Sequence, residues 1–188
     1  MVAFATYPDL EKRLNRTFET AEEQEWIDTL LEDASAHLRS VIGQEVYPVT
    51  TSTFVAYPSG RRVDLPQWPV VSVAAVERDS TAVSYMLRHG YLVVDGEEPV
   101  DVTFTWGYQT VPPELVRFAC VLVSQTLVTL EQELGLTAGG LSSASIDDFK
   151  LAWANAGESS GMALTPHSET ALRRQFGRGG VEVVDTRW

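Results

Sequence analysis

Cysteine occurs once in the 188 residues, at Cys120, which excludes an internal disulfide framework and any multi-cysteine zinc site. Such poverty suits a reducing compartment. Histidine is almost as scarce. His37, His89 and His167 stand far apart, without the H-E-x-x-H spacing that puts two imidazoles on one helix face. Basic residues are few: 14 Lys+Arg oppose 26 Asp+Glu, giving a formal net charge of -12 and a sequence pI near 4.6. A surface of that sign repels phosphates, which argues against a dedicated nucleic-acid binder. It is compatible with a surface past which DNA slides without sticking. The longest apolar run in an expected helix, Phe118 to Val123, is too short to span a bilayer. Met1 to Asp9 has no basic stretch leading into an apolar one, so no export signal is expected. The expectation is a chain made in a cytoplasm, with no membrane partner.

The chain does have ample material for a core: 44% of it is hydrophobic and 10% aromatic. Thr6 as N-cap and Pro8 in the first turn predict a short helix over 6–15. Thr20 and Glu23 have capping-box spacing and open a longer helix over 21–42. Trp26, Ile27, Leu30, Leu31, Ala34, Leu38, Val41 and Ile42 recur along it at three- and four-residue intervals, and Gly43 closes it. Its other face carries Glu22, Glu25, Asp28, Glu32 and Asp33 and is expected to be solvated. Pro112-Pro113 opens a third helix over 113–134, and Thr165-Pro166 a fourth over 166–176. Leu115, Phe118, Leu122 and their neighbours make the third helix apolar nearly all round, as in a helix central to a core or covered by another subunit.

Between the long helices, residues 46–108 change to strand chemistry, with Val, Thr, Tyr and Phe punctuated by proline. Strands are expected near 50–56, 62–65, 70–78, 83–88, 91–94 and 100–106. The last two read as a pair joined by the Asp95-Gly96 turn. The expected fold is therefore α+β. Two long helices form the scaffold together with two short ones, a β-rich insertion lies between the long helices, and residues 177–188 form an extended arm. Residues 1–176 would make one domain, with Trp26, Leu30, Leu38, Phe118 and Leu122 as its core scaffold.

Signs of chemistry are few. Cys120 sits in an apolar helical run, where burial leaves a thiol inert. The histidines read as surface or cap residues. Asp147-Asp148 lacks a calcium-loop context, and Gly135 to Gly140 is glycine-rich without the Lys-Ser/Thr ending of a phosphate loop. There is no G-x-S-x-G elbow. No catalytic residue, metal site or cofactor is expected.

The carboxy-terminal part differs. From Thr165 onward four arginines (Arg173, Arg174, Arg178, Arg187) face three acids. A helix C-terminus favours cations, which accounts for Arg173 and Arg174. Past the Gly177, Gly179 and Gly180 spacer, Val181 and Val183 alternate with Glu182 and Val184 up to Trp188. Such a segment suits addition to a foreign sheet edge, with Trp188 as aromatic anchor. Arg173, Arg174, Arg178, Val181, Val183, Arg187 and Trp188 are the candidate docking residues.

Several pieces, in order, are similar to segments of one known family of proteins. Tyr7-Pro-Asp-Leu precedes a helix ending near Val41-Ile-Gly and Val46-Tyr-Pro. Val63-Asp-Leu-Pro and Trp68-Pro-Val-Val-Ser-Val-Ala-Ala-Val are similar to the "LP-x-x-PV-x-SV-x-x-V" rhythm of these proteins. Val102-Thr-Phe-Thr-Trp-Gly-Tyr108, leading to Val111-Pro-Pro-Glu-Leu, resembles their strand, Gly-Tyr turn and Val-Pro helix start. Ser145-Ile-Asp-Asp-Phe-Lys-Leu-Ala-Trp is similar to "E-S-I-G-D-Y-S-V-x-Y", with Asp147 in place of the family's glycine. Together these pieces resemble the head-to-tail adaptor (connector) family of long-tailed bacteriophages, and the likeness runs from about residue 7 to 176.

The resemblance implies a structural virion protein of the phage neck. It would form a homo-oligomeric ring, a dodecamer, below the portal and present a platform to a stopper or tail-proximal protein. Genomic DNA would pass through the channel without specific binding. The alternatives are another neck protein (stopper or tail terminator) or a small ligand-binding or hydrolytic module. A stopper or terminator would be β-dominated, and the module would show a pocket with convergent polar groups.

Overall fold

The computed structural model describes residues 2–133 and 162–177. Four helices are seen among them: α1 (Tyr7–Leu14), α2 (Ala21–Ile42), α3 (Pro113–Glu133) and α4 (Pro166–Phe176). Seven strands lie between α2 and α3: β1 (Thr50–Ala56), β2 (Arg62–Asp64), β3 (Val70–Arg78), β4 (Thr81–Ala82), β5 (Tyr85–Arg88), β6 (Tyr91–Val94) and β7 (Val100–Trp106). The chain divides into two compact units, Met1–Leu38 with Pro113–Pro166, and Arg39–Pro112 with His167–Trp188.

The first unit is helical, and its entry is fixed by side chains bonding to backbone. Asp9 Oδ2 accepts from the Thr6 amide at 3.0 Å and from the Thr6 hydroxyl at 2.8 Å, which starts α1. At α2 the box is reciprocal: the Glu23 amide donates to Thr20 Oγ1 at 3.1 Å, and the Thr20 amide to Glu23 Oε2 at 3.4 Å. The segment before α1 is tied to α2 by the Phe4 amide on Ser35 Oγ (2.8 Å), while the Tyr7 amide donates to Asp28 Oδ1 (3.0 Å). Phe4, Leu10, Phe18, Ile27, Leu31, Leu38, Leu115 and Leu122 are fully buried. Of the helix pairs, α1 and α3 approach most closely along their backbones.

The second unit is a β structure with a core of its own. One antiparallel sheet has the order β1-β7-β3-β4, the other β2-β6-β5. Ala56, Val76, Val100, Val102, Phe104 and Trp106 from the first join Val63, Leu65, Leu92 and Val94 from around the second in one buried cluster. Period-two alternation places them there: along β7 Val100, Val102, Phe104 and Trp106 are buried, while Asp101 is exposed and Thr103 and Thr105 are half-buried. On the opposite face Thr51 and Thr53 of β1 share hydroxyl hydrogen bonds with Thr105 and Thr103 of β7, each 2.8 Å.

This architecture corrects the expected fold class. The β part is not an insertion carried on a scaffold of two long helices. It comprises two antiparallel sheets and seven strands around a separate core, so the chain is β-rich. The alternating pattern was visible, but alternation does not reveal that two sheets close over one another and need no helix to cover them. The expected pair 91–94 and 100–106 is corrected as well. β6 lies between β2 and β5, whereas β7 lies between β1 and β3. Residues 95–99 cross from one sheet to the other. Arg78 holds that crossing, donating to the Asp95 carbonyl at 2.8 Å and the Glu98 carbonyl at 3.3 Å. The strand expected over 83–88 is β5 alone, Tyr85–Arg88, paired with β6, and the two residues of β4 before it pair with β3.

Of the expected core scaffold, Leu30, Leu38 and Leu122 are buried, while Trp26 and Phe118 are half-buried. The Arg117 guanidinium covers the Phe118 ring at 5.1 Å. Gly43 closes α2 at φ +80, its amide bonded to the Arg39 carbonyl at 2.8 Å.

Gly107, just after β7, has φ +101, and a Cβ there would stand 2.9 Å from the Pro48 carbonyl oxygen. The obstruction is backbone and cannot swing away. Gly107→Ala is expected to lose roughly 1–3 kcal/mol from the strained backbone alone, read as a lower urea midpoint. An unchanged midpoint would show that the turn relaxes freely.

Candidate interaction surfaces

The last helix is fastened to the second unit by two side chains. Arg173 Nε donates to the Val41 carbonyl at 3.0 Å, where the last turn of α2 exposes free acceptors, and its Nη2 lies 3.6 Å from Glu169. Arg173, expected as a docking residue, therefore already serves within its own unit. Arg174 is exposed. Arg178, Val181, Val183, Arg187 and Trp188 lie outside the described residues, as do Asp147-Asp148, the Gly135–Gly140 stretch and the segment beginning at Ser145.

Gln44 is the fastening residue that sequence reasoning missed. Its Nε2 donates to the Phe176 carbonyl at 2.5 Å and the Trp68 carbonyl at 3.1 Å, and its Oε1 accepts from the Trp68 amide at 2.9 Å. One half-buried amide thus joins the end of α2, the Trp68 loop and the end of α4. Nothing in the sequence marks it except the polar position after a helix-closing glycine. Tyr108 and Phe176 meet edge-to-face beside it, with ring centroids 6.2 Å apart. Gln44→Ala is expected to cost about 1–3 kcal/mol, because it leaves the Trp68 amide and carbonyl unpartnered. Thermal unfolding of the full chain checks this, and Gln44→Glu should be nearly as harmful since it removes the donors.

Among the described residues no three His, Cys, Asp or Glu side chains gather as metal ligands would. His89 and His167 are exposed, while His37 is half-buried and its Nε2 makes no hydrogen bond. Cys120 is fully buried. Burial pushes its thiol above the ordinary range and nearby Asp9 adds to this, with Arg13 opposing. Asp33 is also raised, by partial burial and then by the neighbouring Glu32.

What the surface does offer is apolar area on separate elements. On α3, Val121 and Val128 are 41% and 52% exposed, two turns apart on one face. Pro113–Leu130 has a mean hydropathy of 1.3 and is long and apolar enough to cross a membrane by length and composition alone, yet Leu115, Ala119, Leu122 and Val123 are buried within its unit. In the second unit Val55, Tyr57, Val71, Tyr85, Met86 and Leu87 are exposed. Isolated exposed apolar residues are ordinary, whereas clusters on one strand or one helix face mark contact surfaces. No protein-family model and no curated protein matches the chain.

Proposed function

We propose that this chain is a structural subunit of a phage neck, a head-to-tail adaptor that forms a ring below the portal and extends the DNA channel toward the tail or stopper. The observation that carries the reading is the ordered set of adaptor-like segments from Tyr7-Pro-Asp-Leu to Val111-Pro-Pro-Glu-Leu. Exposed apolar clusters on unlike elements support it, since a closed ring needs two different faces on one chain. The net charge of -12 agrees with a channel through which DNA passes without retention. In this reading residues 178–188 dock on the portal, through Val181, Val183 and Trp188 on a sheet edge and Arg178 or Arg187 on acidic groups.

The test is electron microscopy of DNA-filled, portal-bearing heads incubated with the purified chain. A ring of added density below the portal is expected, and its loss after deletion of residues 178–188. Heads that stay bare with the full chain would overturn the reading. Retained attachment after the deletion would overturn the role of the arm.

The seven-stranded β unit favours a second reading, a stopper or tail terminator, whose architecture is expected to be β-dominated. Order of addition separates the two. An adaptor binds heads carrying only the portal, whereas a stopper or terminator binds only after an earlier neck protein is in place.

A further inference from the structure

The two sheets of the second unit have four edges, and they are not alike. β4 has two residues, which cover Glu77 and Arg78 at the charged end of β3, with the Val83 amide bonded to the Val76 carbonyl just beyond; β2 has three, two of them the charged Arg62 and Asp64. Short or charged edges of this kind resist pairing with another chain. β1 and β5 lack that protection. β1 is seven residues long, Thr-Thr-Ser-Thr-Phe-Val-Ala, and among the described residues pairs only with β7, in unbroken register from Thr50 to Ala56. It lies inside Val46–Gly60, fifteen residues without one charge, the longest such stretch in the chain. Among the described residues β5 pairs only with β6; its Tyr85, Met86 and Leu87 are 40%, 53% and 43% exposed, and the Tyr85 hydroxyl donates to the Val73 carbonyl of β3 at 3.1 Å. Among the described residues of this unit, five of the six large exposed apolar side chains lie on or directly after these two strands.

We propose that the β1 edge of one copy pairs with the β5 edge of the next, joining the first sheet of each subunit to the second sheet of its neighbour. Two arguments select a second copy as the occupant. Each copy carries -12, so contact between copies is least opposed where charge is absent, and the uncharged β1 edge offers no like charge to Arg88 at the end of β5. The two unprotected edges are also unlike and sit on one chain, so a single head-to-tail joint, repeated, satisfies the free amides and carbonyls of both. This joint rests on the ring reading and specifies how the ring closes.

Lysine placed on an edge blocks strand addition, which allows a direct test on the full-length chain. Val55→Lys disables β1 and Met86→Lys disables β5. Both positions are more than half exposed, so both variants should melt with the wild type. Sedimentation velocity is expected to show at least tenfold weaker self-association for each variant alone. Mixed together they should form dimers that do not grow, because the intact β5 of one meets the intact β1 of the other. Dimers of Met86→Lys alone would reveal a symmetric β1–β1 contact and overturn the proposal. Wild-type assembly by both variants would place the contact elsewhere and also overturn it, leaving the ring reading standing. A wild type that stays monomeric at every concentration and forms no ring on portal-bearing heads would overturn both.

Discussion

Replacing Phe104 with alanine is expected to cost about 3–5 kcal/mol of stability, enough to unfold much of the β unit under physiological conditions. Phe104 lies at the middle of β7, the strand flanked by β1 on one side and β3 on the other. It is fully buried, and its ring meets Phe54 edge-to-face with centroids 5.5 Å apart and planes at 73°. Removing the ring sacrifices both the transfer term and the aromatic pair, and leaves a cavity between strands whose register fixes their separation. The neighbouring outward-facing Thr103 or Thr105 provides the contrast. Either change to valine breaks one exposed hydroxyl pair and should shift stability by no more than about 1 kcal/mol. Denaturant melts of Phe104→Ala and Thr103→Val decide the matter, and comparable losses would mean that the core does not run through β7.

The ends of the helices were legible because the groups that set them are local. Thr20 with Glu23, and Gly43 after Ile42, act within one turn, so the bounds 21–42 follow from neighbours in sequence. The strands were legible for the same reason, through alternation along each. Their partners were not. Asp95-Gly96 signals a reversal, but the same residues serve a tight hairpin or a crossing between sheets, and what decides is Arg78, seventeen residues away, capturing the Asp95 carbonyl. Leu92 and Val94 alternate as Val102 and Phe104 do, since both pairs face one core from opposite sheets. The fold class failed at that point: helices with strong local signals appeared to be the scaffold, while the burial that stabilises the β unit is non-local. The interaction surface divides in the same way. The uncharged run from Val46 to Gly60 can be read in the sequence, but that it forms an edge cannot, and Gln44 acquires its role only where Trp68 and Phe176 converge.

Leu122→Ala is expected to destabilise the helical unit by roughly 2–5 kcal/mol, whereas Val121→Ala, one position away, should change it by less than about 0.5 kcal/mol. The difference follows from helix geometry. Leu115, Ala119, Leu122 and Thr126 recur at three- and four-residue spacing and are all buried, while Val121 and Val128 lie on the face turned away, 41% and 52% exposed. Cys120 provides an internal reporter of this contrast. It is the sole cysteine, fully buried, with its thiol pushed upward by that burial, so a thiol reagent reaches it only when the unit opens. With reclosing fast relative to labelling, the labelling rate follows the open population, and each 1.4 kcal/mol lost raises it about tenfold. Leu122→Ala should therefore label Cys120 about 30-fold faster than wild type or more, with Val121→Ala within about twofold. Equal acceleration by both would mean that α3 has no buried face distinct from its exposed one. Val121 and Val128 would then be core residues rather than surface for a neighbouring subunit.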